Sequence, residues 1–275
     1  MNKYILISNL SLVTVLALGA CSILEGPEDI SNPLDPTDPN FETPSVTFIQ
    51  APTEGETVDT CYVLLDWDGN QSSMNYSYRM DDQSWSEWTS DHLLEYPLLD
   101  EGSHVFEVKS RYFNGVESDD PQTITFTIDD LDGPALTLSP RYSVGSIHES
   151  VEIEIMAHDV TDLAMIKAVL NFNPAQLVVT SVSVYENESI LADNGGTVIP
   201  FYLIDNEQGQ ITIEVAVATG NPSSVSGTGG IALIDFSSTS SLSSDLDFEI
   251  SSEFRDADNT TIQISDFGNG GVYVQ

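Results

Sequence analysis

Basic residues are scarce. Seven Lys and Arg stand against 44 Asp and Glu in a chain of 275 residues, a formal net charge of −37. A surface of that sign repels phosphate backbones and anionic lipid head groups, which argues against nucleic-acid binding and against electrostatic docking to a membrane. Cysteine is nearly absent: Cys21 and Cys61 are the two present. They are not expected to pair, because Cys21 closes an apolar leader. Reaction-centre patterns are missing as well. His92, His104, His148 and His158 form no metal-ligand pair at helical spacing. There is no Gly-x-Ser-x-Gly and no phosphate-cradling glycine loop. Among 44 carboxylates some two always look like a glycosidase pair, so such a pair means nothing without geometry. His158-Asp159 reads as a turn after a strand rather than a catalytic dyad. No enzyme is expected.

At the N-terminus Met1-Asn2-Lys3 is a short positive region. Tyr4 to Leu18 is apolar but too short, and too interrupted by Ser8, Asn9, Ser11 and Thr14, for a membrane span, so residues 1–20 read as a secretory signal. Leu18-Gly19-Ala20-Cys21 resembles a bacterial lipobox. That resemblance implies a lipid on Cys21, membrane contact through the anchor only, and, with Ser22 next, the outer membrane or cell surface. Residues 21–44 follow as a tether, with prolines at 27, 33, 36, 39 and 44 and no basic residue. Like charges and proline favour an extended chain, which would reach on the order of 70 Å.

With 40% hydrophobic residues the remainder can fill two modest cores. Both read as all-β sandwiches. In residues 45–130, Cys61, Val63, Leu65 and Trp67 share one parity, as do His104, Phe106, Val108 and Tyr112, the alternation of strands with one buried face. On this pattern Cys61 is a buried thiol. Tyr76–Met80 turns through Asp81-Asp82 into Ser84–Trp88, a predicted hairpin. The run Tyr-x-Tyr-Arg followed by Trp-Ser-x-Trp resembles immunoglobulin and fibronectin type III-like modules. Trp67 alternates as a core residue, whereas Trp85 and Trp88 beside a turn could stack on carbohydrate. Asp129–Pro134 joins the modules; it lacks the glycine and distal glutamate of an EF-hand loop and reads as a rigid acidic hinge.

Residues 134–275 offer about nine short strands with turn residues between them. The central ones are Val151–Ala157, Met165–Phe172, Ile211–Val217 and Ile231–Phe236. The order of motifs here resembles a cohesin: Asn171-Phe172-Asn173-Pro174, then Gly209-Gln210-Ile211-Thr212-Ile213, then Gly229-Gly230-Ile231-Ala232-Leu233-Ile234-Asp235-Phe236. Arg255–Asn259 followed by Gly270–Val274 fits the family's closing hairpin. The resemblance implies a nine-stranded jelly-roll sandwich that binds a dockerin-type partner in polysaccharide utilisation. It implies a partner face made by the outward residues Lys167, Val169, Asn171, Thr212, Glu214 and Ala216, with Asn173 at its edge where the family usually carries Asp. Asp256, Asp258 and Asn259 could hold one structural calcium ion, though a tight hairpin turn would explain them equally. The alternatives are direct carbohydrate binding through Trp85, Trp88 or Tyr202, and a structural envelope spacer without a ligand.

Overall fold

The computed structural model describes residues 31–186, 189–195, 197–218 and 224–274. The leader and Cys21 lie outside the described residues. The chain divides into two compact units, residues 1–43 and residues 44–275.

In the first unit residues 31–43 do not run extended as expected of a tether. They wind through successive turns, with Asp35 N–H bonded to the Asn32 carbonyl and Asp38 N–H to that of Asp35, each at 2.9 Å. The cause is local competition for backbone donors by carboxylates. Asp38 accepts the N–H groups of Asn32 at 2.6 Å and Asn40 at 2.7 Å, and Asp35 accepts that of Thr37 at 2.9 Å. These bonds hold both carboxyls below the usual range.

The second unit contains two sandwiches. In the N-terminal one, β1 (Val46–Gln50), β2 (Glu56–Val58), β3 (Val63–Gly69), β4 (Met74–Met80), β5 (Leu93–Tyr96), β6 (Gly102–Tyr112) and β7 (Gln122–Ile128) form sheets ordered β1-β3-β5 and β2-β7-β6-β4. Trp67 of β3 is fully buried and joins them, its ring 5.6 Å from Phe106 and 5.9 Å from Tyr76. The expected hairpin of Tyr76–Met80 is made differently. Ser84–Trp88 forms no strand; it returns beside β4 through the bonds Ser86 N–H to Tyr78 O and Tyr76 N–H to Thr89 O, and β4 ladders with β6 instead. Cys61 is half-buried rather than in the core, because it lies two residues before β3 begins, outside the ladder; burial still pushes its thiol up.

The C-terminal sandwich comprises β8 (Ala135–Ser139), β9 (Tyr142–Gly145), β10 (Ser150–Leu163), β11 (Met165–Phe172), β12 (Leu177–Val184), a 3-10 turn (Ile190–Gly195), β13 (Val198–Asp205), β14 (Gln210–Val217) and β15 (Val225–Ser238). It ends in β16 (Ser244–Phe248), β17 (Glu253–Arg255), β18 (Thr261–Ile262), β19 (Asp266–Gly268) and β20 (Gly270–Val274). One sheet runs β12-β15-β10-β8-β19. The other runs β13-β14-β11-β16-β20-β9, with β17 also on β11 and β18 on β17. The core lies between them, with Ile153 and Ile155 facing Ile166, Leu170, Ile211 and Ile213 in one buried cluster. The long β10–β15 pair is its spine. Ala157 opposes Gly229 and Val160 opposes Gly227, so β10 carries one residue more than its partner there, and the same happens again before Leu163. Asp159 (φ 47°) and Asp162 (φ 61°) take up the two extra positions, a left-handed conformation that Asp tolerates, so Val160 and Leu163 keep facing inward. The closing hairpin is corrected: Arg255 pairs with Thr261 across β17–β18, whereas Gly270–Val274 pairs with β16 and, in parallel, with β9.

Between the sandwiches one acid of the hinge, Asp130, meets a buried cation. Arg141, 5% exposed, bonds Asp130 at 2.9 and 3.2 Å through Nη1 and donates Nε–H to the Asn269 carbonyl at 3.1 Å. Its backbone N–H and the Ser139 hydroxyl bind the two oxygens of Asp100 at 2.6 and 2.7 Å. Glu101 accepts the N–H groups of Asp130 and Leu131 at 2.8 and 3.1 Å. His104 bonds the Asp100 carbonyl and the Asp81 carboxylate, both at 2.9 Å. Burial and the neighbouring Asp130 push Glu101 up to about 7. Burial alone would lower His104, but its bonds to Asp81 and Asp100 win and raise it.

Both groups therefore bind protons more tightly folded than unfolded, and stability falls as pH rises. For Glu101 the loss begins near the ordinary value of 4.5 and is complete above about 7. For His104 it begins near 6.5. The melting temperature is expected to decline from pH 5 to pH 8.5, and Glu101→Gln to flatten the slope; a flat wild-type profile by calorimetry would contradict the assignment. Arg141→Ala, which strands the largely buried Asp130 carboxylate, is expected to cost about 3–5 kcal/mol, measured by urea unfolding.

Candidate docking face

The sheet β13-β14-β11 has one face in the core and one in solvent. Ile211, Ile213 and Val215 are fully buried, so the alternate residues Thr212, Glu214 and Ala216 face outward. Register extends this outward face to its neighbours. Ile199 opposes Ala216, which opposes Met165, which opposes Arg255; Phe201, Glu214, Lys167 and Glu253 make the next row, and Leu203, Thr212 and Val169 the third. Gly209 holds the turn that sets this register. It has φ +70°, and a Cβ there would lie 2.1 Å from the Phe172 carbonyl oxygen, so only glycine fits.

Lys167, Thr212, Glu214 and Ala216 stand on the expected face, all partly exposed. Val169 does not: it is 4% exposed. The segment Glu249–Ser252 bridges the gap between β16 and β17, both of which pair with β11. It bonds both backbone groups of Val169, Glu249 N–H to its carbonyl at 2.8 Å and Val169 N–H to the Ser252 hydroxyl at 3.0 Å, and takes it out of the surface. Asn171 is held in a side-chain network: its amide donates to Glu249 at 3.0 Å and accepts from Gln210 at 3.1 Å, and these contacts hold the Glu249 carboxyl low. Asn173 is exposed, and its Oδ1 caps a turn by accepting the Ala175 N–H at 3.0 Å. Both asparagines border an open polar hollow of about 510 Å³ that also involves Ser244, Asp245 and Asp247.

The residues that most distinguish this face were not singled out in the sequence. Ile199, Phe201 and Leu203 are 63%, 57% and 59% exposed, in a row along β13, the last strand of its sheet. Tyr202 is also exposed, and Pro200 stands between them in the same strand. Their only signal is the unbroken apolar run Val198–Ile204, which breaks the alternation of every neighbouring strand. Such a run is equally the mark of a strand buried on both sides.

Asp256, Asp258 and Asn259 form the β17–β18 turn. Asp256 Oδ1 accepts the N–H groups of Asp258 and Thr260 at 2.9 and 2.8 Å, and the Arg255 guanidinium donates to the Asn259 carbonyl at 3.1 Å. Asp256 Oδ1 and the Asn259 carbonyl are thus engaged in closing the turn. Among the described residues no three His, Cys, Asp or Glu side chains gather as a metal group. His158 and Asp159 approach to 3.7 Å beside Thr228, whose hydroxyl accepts the Asp159 N–H at 3.0 Å; the three belong to the first bulge of β10. Among the described residues no helix is long and apolar enough to cross a membrane.

No family model matches the sequence, and no curated protein does. Solved structures similar to the chain are cohesin domains. The third ScaC cohesin of Acetivibrio cellulolyticus, in complex with the ScaB dockerin, shares 16% identity at a TM-score of 0.43 over 51% of this chain and 97% of that one. A type II cohesin domain from the cellulosome of the same organism shares 14%, at 0.41, over 50% and 92%. A non-cellulosomal cohesin from the archaeon Archaeoglobus fulgidus shares 16%, at 0.40, over 51% and 91%.

Asp256→Ala is expected to destabilise the protein by about 1 kcal/mol through loss of the turn's cap. The loss should be the same in calcium and in chelator. A calcium-dependent difference in melting temperature would instead assign an ion to the turn.

Proposed function

We propose that the chain is a binding protein whose C-terminal sandwich docks a protein partner of the dockerin type on the outer face of β13, β14 and β11. The observation that carries this reading is the row of Ile199, Phe201 and Leu203, each more than half exposed in an otherwise strongly acidic molecule. A contiguous apolar strip of this kind is a surface in want of cover. Burying each of these side chains against a partner contributes on the order of 1.5–3 kcal/mol if complete. Glu214 lies beside the strip, and Lys167, Glu253 and Arg255 continue its rows across the sheet; these charges of both signs set register and discriminate between partners more than they add affinity. The role is non-catalytic, and the N-terminal sandwich acts as a spacer. A lipid on Cys21 holds the protein at the cell envelope, where the partner belongs to polysaccharide utilisation.

The test is a pull-down from the producing cells in calcium, with the mature chain as bait beside a Phe201→Asp/Leu203→Asp variant and a Lys167/Asn171/Thr212 triple-alanine variant. A dockerin-bearing protein retained by the native bait and lost with the β13 variant is the expected result. Equal retention by all three, or no dockerin-bearing protein with any, would overturn it. Anchoring is tested separately: Cys21→Ser is expected to release the protein from the membrane fraction and to abolish labelling by a palmitate analogue.

A further inference from the structure

The few cations of this chain are unevenly used. Among the described residues Arg79 pairs with Glu107, Arg141 with Asp130 and Arg255 with Glu253. Among the described residues Lys109 and Arg111 form no ion pair, although acids outnumber bases about sixfold (44 against 7). They are alternate residues of β6, so they share the outer face of the N-terminal sandwich, about 7 Å apart. Indole rings hold them. The Lys109 ammonium lies 4.7 Å from the Trp85 ring centre and 5.1 Å from that of Trp88, and the Arg111 guanidinium lies 4.3 Å from that of Trp88. A ring quadrupole fixes a cation in place without cancelling its charge. The result is two positioned cations that the indoles order without forming an ion pair, so that binding an anion costs little further ordering. Immediately after β6, two residues past Arg111, comes Phe113, 74% exposed.

We infer that this face of β4 and β6 binds a carboxylate-bearing sugar chain. Lys109 and Arg111 meet the carboxylates, and Phe113 offers a ring on which the C–H face of a sugar can stack. The indoles themselves are not that platform, because each already has two cations at its ring: Arg79 lies 4.7 Å from Trp85. The requirement for an exposed aromatic beside the cations favours a uronate polymer over an acidic peptide. Of the acids on this face, Glu107, two residues before Lys109, is engaged by Arg79, and Glu117 stands opposite Arg111 without an ion pair to it; at physiological ionic strength charges more than about 8 Å away are largely screened.

The probe is polygalacturonate, with its methyl-esterified form as the neutral polymer of the same backbone and polyglutamate as the acidic polypeptide. Affinity electrophoresis and tryptophan fluorescence of the whole mature chain read the binding. Polygalacturonate is expected to retard the protein, and the esterified polymer is not. Lys109→Gln and Arg111→Gln should each weaken binding about tenfold, as loss of a charge-assisted contact does. Phe113→Ala should weaken it too, whereas Arg111→Lys, which keeps the charge and the fold, should retain most of it. Phe201→Asp/Leu203→Asp should bind as the native chain does, which separates this site from the docking face. No retardation, equal retardation by the esterified polymer, unchanged binding in the Gln variants, or tighter binding of polyglutamate would each overturn the inference.

Discussion

The side chain on which the arrangement of the folded unit turns is Arg141. It is nearly inaccessible to water and draws Asp130 of the linker, the Asn269 carbonyl and, through its backbone, Asp100 of the N-terminal sandwich to one point. Around it runs a continuous chain of polar contacts, Asp81 to His104 to Asp100 to Arg141 to Asp130 to Glu101. A buried ion pair of this kind adds little net stability over an apolar contact of the same shape. Its effect is orientation: few relative placements of the two sandwiches satisfy every member, so the hinge is held. Asp130 is thereby one wall of the joint, while Asp129 and Asp132 beside it stay exposed.

Much of the fold was legible because the C-terminal sheets obey a strict period. Met165–Phe172 and Leu177–Val184 were readable to the residue, and β10 and β15 were recognisable from their buried halves. What escaped had physical reasons. β9, β17 and β19 are 4, 3 and 3 residues long, too short for a period to show. The outer ends of β10 were hidden because two bulges break the alternation where Asp159 and Asp162 are inserted. Val169 has the parity of an outward residue, and only the crossing of Glu249–Ser252, some 80 residues later in the chain (83 between Val169 and Ser252), buries it. The candidate site was half readable for the same reason. Lys167, Thr212, Glu214 and Ala216 follow from alternation, whereas the exposure of Ile199, Phe201 and Leu203 depends on β13 being the end of a sheet, a fact of topology and not of local pattern.

The aromatic residues divide by the charge around them. Trp67 is surrounded by Tyr76, Tyr78 and Phe106 and makes the N-terminal core. Trp85 and Trp88 lie outside the sheet, where the cations of β4 and β6 gather about them. The two sandwiches thus present different chemistry: an apolar strip flanked by mixed charges on one, and a small positive strip in an acidic surround on the other. One chain can engage two kinds of partner without the two competing for the same surface.

Pro200 gives the exposed strip a further property. A strand at the end of a sheet, apolar on its open side, is a template on which another chain can add by backbone pairing. A proline within it removes a donor from that template, and a net charge of −37 keeps copies of the molecule apart. Both safeguards act at different ranges, one at contact and the other over a Debye length. Colloidal behaviour should therefore depend on salt: in dilute buffer the molecules repel and stay dispersed, while in concentrated brine only the missing donor stands between neighbouring β13 edges.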